Sequence, residues 1–159
     1  MKFPVFSAGR VALLVTALAI AGCETVPEDA PQIEAMNEAI RQEAPGNYYV
    51  GRRMYKEVYK MWGWVRQPGK PWSTAQLVMF NEQRTLAPDR QGGKLGTDNN
   101  VEYKLMGYFS GETVYEPASN RFYPEFVLVS YDVRNRTPAR IYTTARQNDP
   151  TVRVLTPPM

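Results

Sequence analysis

The chain has 159 residues, with 19 Lys and Arg against 16 Asp and Glu, one cysteine and no histidine. Without histidine, and with one thiol only, Ser-His and Cys-His catalysis and ordinary His/Cys zinc sites are excluded. The length supports one domain with a real core and falls short of a two-domain enzyme.

In chain order, Met1 to Arg10 carries Lys2 and Arg10 with no acid, and Val11 to Ala21 is almost wholly apolar. These are the basic and hydrophobic regions of a secretory signal. As a helix the apolar run would reach roughly 16 Å, about half of a ~30 Å hydrocarbon core, so it is too short for a stable membrane span.

The next four residues, Ile20-Ala21-Gly22-Cys23, resemble the lipobox of bacterial lipoproteins. The resemblance implies that residues 1–22 are a cleaved signal peptide, that the Cys23 thiol takes a diacylglyceryl group, and that the new amino terminus is acylated in turn. It places the protein in the bacterial cell envelope, lipid-anchored, with the membrane as its first partner. Two or more acyl chains hold a protein durably where one holds it only marginally. In lipoproteins of this kind an Asp after the cysteine commonly favours inner-membrane retention; Glu24 stands here, which leans toward the outer membrane.

Charge divides the mature chain. Between residues 24 and 46 lie Glu24, Glu28, Asp29, Glu34, Glu38 and Glu43 against Arg41 alone, whereas residues 47–159 hold 16 basic and 10 acidic side chains. Residues 23–46 therefore read as the lipidated cysteine, an acidic spacer and a short helix, followed by a basic, aromatic-rich β domain over 47–159. Ile33, Met36 and Ile40 make one narrow apolar stripe that predicts a helix from about Gln32 to Glu43, ended by Pro45 and Gly46. The acidic spacer is expected to fold back onto the basic domain, in a contact that salt would loosen.

From Asn47 onward, aromatic and β-branched runs punctuated by Gly, Pro, Asn and Asp predict about seven strands in a small antiparallel barrel or sandwich. The runs are Met54 to Arg66, Gln76 to Asn81, Val101 to Phe109, Glu112 to Tyr115, Glu125 to Val133, Arg140 to Thr144 and Val152 to Leu155. Expected turns are Gln67 to Pro71, Ser110-Gly111, Pro117 to Asn120 and Asn135 to Pro138, and the Gly-rich stretch between Leu86 and Asn100 reads as a mobile loop. Val50, Met54, Val58, Met61 and Val65 also fit helical spacing, so a helix over Val50 to Lys60 competes with the first strand. Trp64 to Lys70 resembles the second framework strand of antibody variable domains, but without that family's paired cysteines it implies only a strand entering a Pro-Gly turn.

The strongest functional signal runs from Tyr48 to Trp72, where aromatic and basic residues interleave. Arg52, Arg53, Tyr55, Tyr59, Trp62, Trp64, Arg66 and Trp72 are the candidate ligand or partner surface. Rings and cations together suit single-stranded nucleic acid in a cytosolic protein. Export argues against nucleic acid and points to glycan rings, anionic lipid headgroups or another envelope protein. Set against this is core packing by the aromatics, with the cations on the solvent face. The aromatics of Gly107 to Gly111 and Tyr123 to Phe126 are expected to make cross-strand pairs or line the end of a groove.

No Gly-rich phosphate loop, Gly-x-Ser-x-Gly elbow or Ser-x-x-Lys pair is present. Asp89, Asp98, Asn99 and Asn100 lack regular calcium-loop spacing and are accounted for by turns. The reading is a non-catalytic binding or scaffolding module with no cofactor and no metal. The competing reading is a carboxylate-dependent hydrolase of cell-wall glycan, using two of Glu112, Glu116, Glu125 and Asp132.

Overall fold

The computed structural model describes residues 29–153 and 156–159, and the side chains of these except at 60, 61 and 145. The signal segment, Cys23 and the start of the acidic spacer lie outside the described residues, as does the second half of the expected Val152–Leu155 strand.

One helix, α1 (Ala30–Arg41), precedes five strands: β1 (Tyr49–Lys56), β2 (Tyr59–Arg66), β3 (Gln76–Asn81), β4 (Glu102–Glu116) and β5 (Arg121–Asn135). A single turn of helix, α2 (Pro88–Gln91), lies between β3 and β4. The strands form a mixed, mainly antiparallel sheet in the order β1-β2-β3-β5-β4, and its ladder closes because β1 also pairs with β4. β3 and β5 are parallel, with Met79 opposite Glu125 and Asn81 opposite Val127. All other pairings are antiparallel.

Five strands replace the expected seven for local reasons. The expected Met54–Arg66 strand is a hairpin, turning at Glu57 and Val58 with Lys56 opposite Tyr59. The runs Val101–Phe109 and Glu112–Tyr115 are one strand, because Gly111 (φ +88°) makes an irregularity inside β4 and no hairpin turn. Arg140–Thr144 is extended in composition but finds no ladder partner. The parallel β3/β5 contact was not expected either, since it joins strands separated by the whole of β4.

Alternation then sorts the side chains. Val65, Val78, Phe80, Val101, Tyr103, Leu105, Phe126 and Leu128 fill the interior of the closed sheet, with Tyr49, Phe109 and Tyr131 at its margins. A second core lies outside β1 and β2, where Val50, Met54 and Trp64 are covered by Ile40 of α1, Trp72, and Ile141 and Tyr142 of the C-terminal segment. Of the α1 stripe only Ile40 is buried; Ile33 and Met36 are half-buried. Phe109 and Phe126 meet across β4 and β5 as expected, edge-on at 5.3 Å, and Tyr115 and Phe122, which were not among the expected pairs, meet at 5.2 Å.

β2 packs closely against its neighbours at Gly63. A Cβ there would sit 2.5 Å from Phe80 Cε2 and 2.6 Å from the Arg52 carbonyl oxygen. Gly63→Ala is expected to cost about 1–3 kcal/mol in urea unfolding through overpacking. Wild-type stability in that variant would contradict the close approach of β2 to its neighbours.

Candidate functional site

The eight residues expected to form an exposed surface are packed instead. Arg52, Arg53, Tyr59, Trp62, Trp64, Arg66 and Trp72 are all buried, and Tyr55 is half-buried. The aromatics pack as core, but the cations do not line a solvent face. Three of them are the centres of buried ion networks or ladders.

Arg52 and Arg66 lie on the outer face of β1 and β2, and both guanidinium carbons sit over the Trp72 ring, at 4.6 and 4.8 Å. Each charge then finds a carboxylate. Arg52 donates from Nη2 to Glu102 Oε2 at 2.8 Å and from Nη1 to the Ala139 carbonyl at 2.7 Å. Arg66 forks onto Glu43, with Nη1 to Oε2 at 2.6 Å and Nη2 to Oε1 at 2.8 Å. Arg134 donates to Glu43 at 2.6 Å and lies 3.9 Å from Glu102, which closes a ring of charge around Trp72. Burial alone would raise the Glu43 carboxyl, but hydrogen bonds from Arg66, the Gly69 N–H and Arg134 outweigh it and hold the group at about 2. Burial lowers Arg52, and Glu102 opposes that shift.

Arg53 points into the sheet interior and meets three buried acids. It donates to Asp89 and lies 3.6 Å from Asp98 and 3.8 Å from Glu82, while Arg90 pairs with Glu82 at 2.9 Å. Residues 82–100 thus form an ordered plug at one end of the closed sheet, where a mobile loop was expected. Asp89 also accepts from the Gly96 N–H, and Asn100 N–H donates to the Arg53 carbonyl. The left-handed backbone of Gly93, Gly96 and Asn100 gives the plug its tight course. Burial pushes Asp98 up to about 6, against the pull of Arg53, with the nearby Asp89 charge adding to the rise. Among the described residues no cluster of His, Cys, Asp or Glu is arranged to hold a metal ion.

Lys56 is buried at the same end and donates to the carbonyls of Gln147 and Asp149, at 2.6 and 2.7 Å. Glu57 N–H donates to the Pro150 carbonyl, and Asn99 Nδ2 donates to that of Asn148. The C-terminal segment is thereby stitched to the β1–β2 turn and to the plug. Trp62 stacks on Tyr59 at 4.5 Å and touches Tyr123, and Trp64 Nε1 donates to the Tyr142 hydroxyl at 2.7 Å.

The opposite end is open. A cavity of about 620 Å³ there is lined by Tyr49, Phe109 and Val65, with Gln67, Lys70, Thr74 and Gln76 around it. Gln67, Lys70 and Gln76 are exposed and make no side-chain hydrogen bond or ion pair among the described residues. Beyond this mouth the β4–β5 hairpin continues as an arm carrying Tyr108, Tyr115 and Phe122, the last 67% exposed. The sequence marked parts of the mouth, since Tyr49, Gln67 and Lys70 lie in the Tyr48–Trp72 segment and Phe109 in the cluster expected to pair or line a groove, but not that these parts meet with Thr74 and Gln76 at one end of the sheet.

The four acids singled out for hydrolysis are dispersed. Glu116 accepts from the Ala118 and Ser119 N–H groups in the arm's turn, and Glu125 accepts from Asn81 Nδ2. Glu112 is exposed on the arm, and Asp132 is exposed opposite Lys104. No helix among the described residues is long and apolar enough to cross a membrane. Comparison with protein-family models, with curated proteins and with solved structures finds no match to this chain.

Glu43 and Asp98, the two acids displaced furthest, respond to pH with opposite sign. Glu43, held low, contributes stability that is present above its unfolded value near 4.5 and is lost as pH falls toward 2. Asp98, held high, opposes folding increasingly as pH rises from about 4 to 6, and by a constant amount above that. Asp98→Asn is therefore expected to add about 1–3 kcal/mol at pH 7 and nothing at pH 3. Urea titrations of both proteins at the two pH values check this; equal stabilities throughout would contradict the plug's electrostatics.

Proposed function

We propose that the chain is a lipid-anchored protein of the bacterial cell envelope, held through Cys23 and leaning to the outer membrane, whose β domain is a non-catalytic binding module. On this reading the closed sheet is a small barrel of the OB type. Its strand order, with β3 and β5 parallel, supports that assignment, and such barrels serve oligonucleotide and oligosaccharide binding. Fold alone assigns no function, so the argument rests on the site.

The single observation that carries the binding reading is the open mouth. Its floor is aromatic and apolar, and its rim offers the exposed amides of Gln67 and Gln76 and the exposed ammonium of Lys70. Rings present flat apolar faces to a sugar, amides pair with its hydroxyl and acetamido groups, and a cation suits a carboxylate. An acidic or amide-bearing glycan of the cell wall fits these groups best. Export removes nucleic acid from consideration, and dispersal of Glu112, Glu116, Glu125 and Asp132 weighs against glycoside hydrolysis, which needs two carboxylates flanking one bond.

Two measurements test the parts separately. Intact mass of membrane-fractionated protein should give a species starting at Cys23 with acyl mass, absent in Cys23→Ala; an uncleaved or unlipidated chain contradicts the anchor. Co-sedimentation with purified cell-wall sacculi should weaken at least about fivefold in Lys70→Glu combined with Gln67→Ala. Binding that ignores both substitutions removes the mouth as the site.

A further inference from the structure

The antiparallel pairings put the end of β1, the start of β2, the end of β3, the start of β4 and the end of β5 together at the plugged end of the sheet. The N-terminus of α1 belongs to that end too. Asp29 pairs with Arg140, and Gln32 and Ala35 line a cavity with Asn135, Thr137 and Pro138, just past the end of β5. From Cys23 to Asp29 there are six residue steps, which span at most roughly 20 Å when fully extended. A chain held by lipid on Cys23 therefore keeps its plugged end within that distance of the bilayer.

The chemistry of this end matches such a neighbour. Lys94, Arg136, Arg146 and Arg153 are exposed and have no ion-pair partner among the described residues, unlike Arg134 and Arg140, which are committed to Glu43 and Asp29. Among the described residues the exposed acids at this end are Glu34, Glu57 and Asp149, and the Asp149 carboxylate accepts from the Thr151 N–H. Two apolar side chains stand among the cations, Val58 at the β1–β2 turn and Leu95 in the plug, exposed by 43% and 40%. Aliphatic tips ringed by cations are the pattern of a surface that rests in the headgroup layer of an anionic membrane.

We infer that the plugged end, through Lys94, Arg136, Arg146 and Arg153 with Val58 and Leu95, docks on the anionic lipid headgroups of the membrane that carries the anchor. This rests on the lipoprotein reading above. Docking fixes orientation: the mouth and the β4–β5 arm then face away from the membrane, toward ligands in the envelope. The lipid supplies retention and the basic end supplies orientation.

The test uses mature protein in vesicles of phosphatidylcholine, with or without phosphatidylglycerol. One thiol is introduced at exposed Thr151→Cys, or at the arm's turn as Ala118→Cys, and carries a fluorophore quenched by headgroup nitroxides. The expected result is quenching at position 151 and none at 118, dependent on phosphatidylglycerol and relieved by high salt. Arg136→Gln, Arg146→Gln and Arg153→Gln together should reduce the phosphatidylglycerol-dependent quenching at least about threefold, with tryptophan emission confirming the fold. Equal quenching at both positions, or quenching at 151 indifferent to phosphatidylglycerol and to the triple variant, overturns the proposal. The second outcome is also what an acidic spacer seated on this end would give. Flotation of the vesicles in high salt reports the anchor separately. Protein that fails to float has lost the lipoprotein reading, while low-salt quenching at 151 still decides the surface.

Discussion

Two arginines stacked over one tryptophan organise this molecule. Arg52 and Arg66 are desolvated on the outer face of β1 and β2, and a buried guanidinium is tolerable only with a carboxylate in hydrogen-bond geometry. The carboxylates come from distant segments: Glu102 opens β4, and Glu43 follows α1. Arg134, from the end of β5, bridges both. Satisfying the two charges therefore fixes where α1 lies and how the ends of β4 and β5 meet β1 and β2. Such a ring need not add much net stability over a well-packed apolar core. Its effect is on which arrangement is allowed, since a slip of one residue in β1 would turn Arg52 into the interior, and a slip in β2 would do the same to Arg66.

The closed sheet has ends of different character. One is sealed by a polar plug around Arg53 and by a C-terminal segment hung on Lys56. The other is left open between the 67–76 connection and the β4–β5 arm. With the lipid anchor proposed on Cys23, six residue steps before Asp29, this asymmetry would be directional with respect to a membrane.

Much of the local structure was legible in the sequence. The apolar run in Gln76–Asn81 marked β3 to the residue, and Pro117 to Asn120 marked the arm's turn because Asn120 accepts a left-handed backbone (φ +53°). The β1–β2 turn was invisible, since Glu57-Val58 carries none of the Gly, Asn or Asp that signals a two-residue hairpin. Gly111 gave the opposite error, a turn signal spent on an irregularity within one strand. The candidate surface failed for a deeper reason. Interleaved aromatics and cations look the same in sequence whether the cations face water or a buried carboxylate, and the partners of Arg66 and Arg52 lie 23 and 50 residues away. The plug was misread likewise, because Asp89 and Asp98 sit in a Gly-rich stretch whose buried partner, Arg53, is in β1.

The most direct test of the ring is a double-mutant cycle on its best-formed pair, Arg66→Met and Glu43→Gln, followed by urea unfolding at neutral pH. Each single variant leaves a buried group without its partner and is expected to lose about 3–5 kcal/mol, with the double variant recovering a substantial part of the summed loss. Single losses below about 0.5 kcal/mol, or losses that simply add, would show that the buried charges around Trp72 do not depend on one another and would contradict the account.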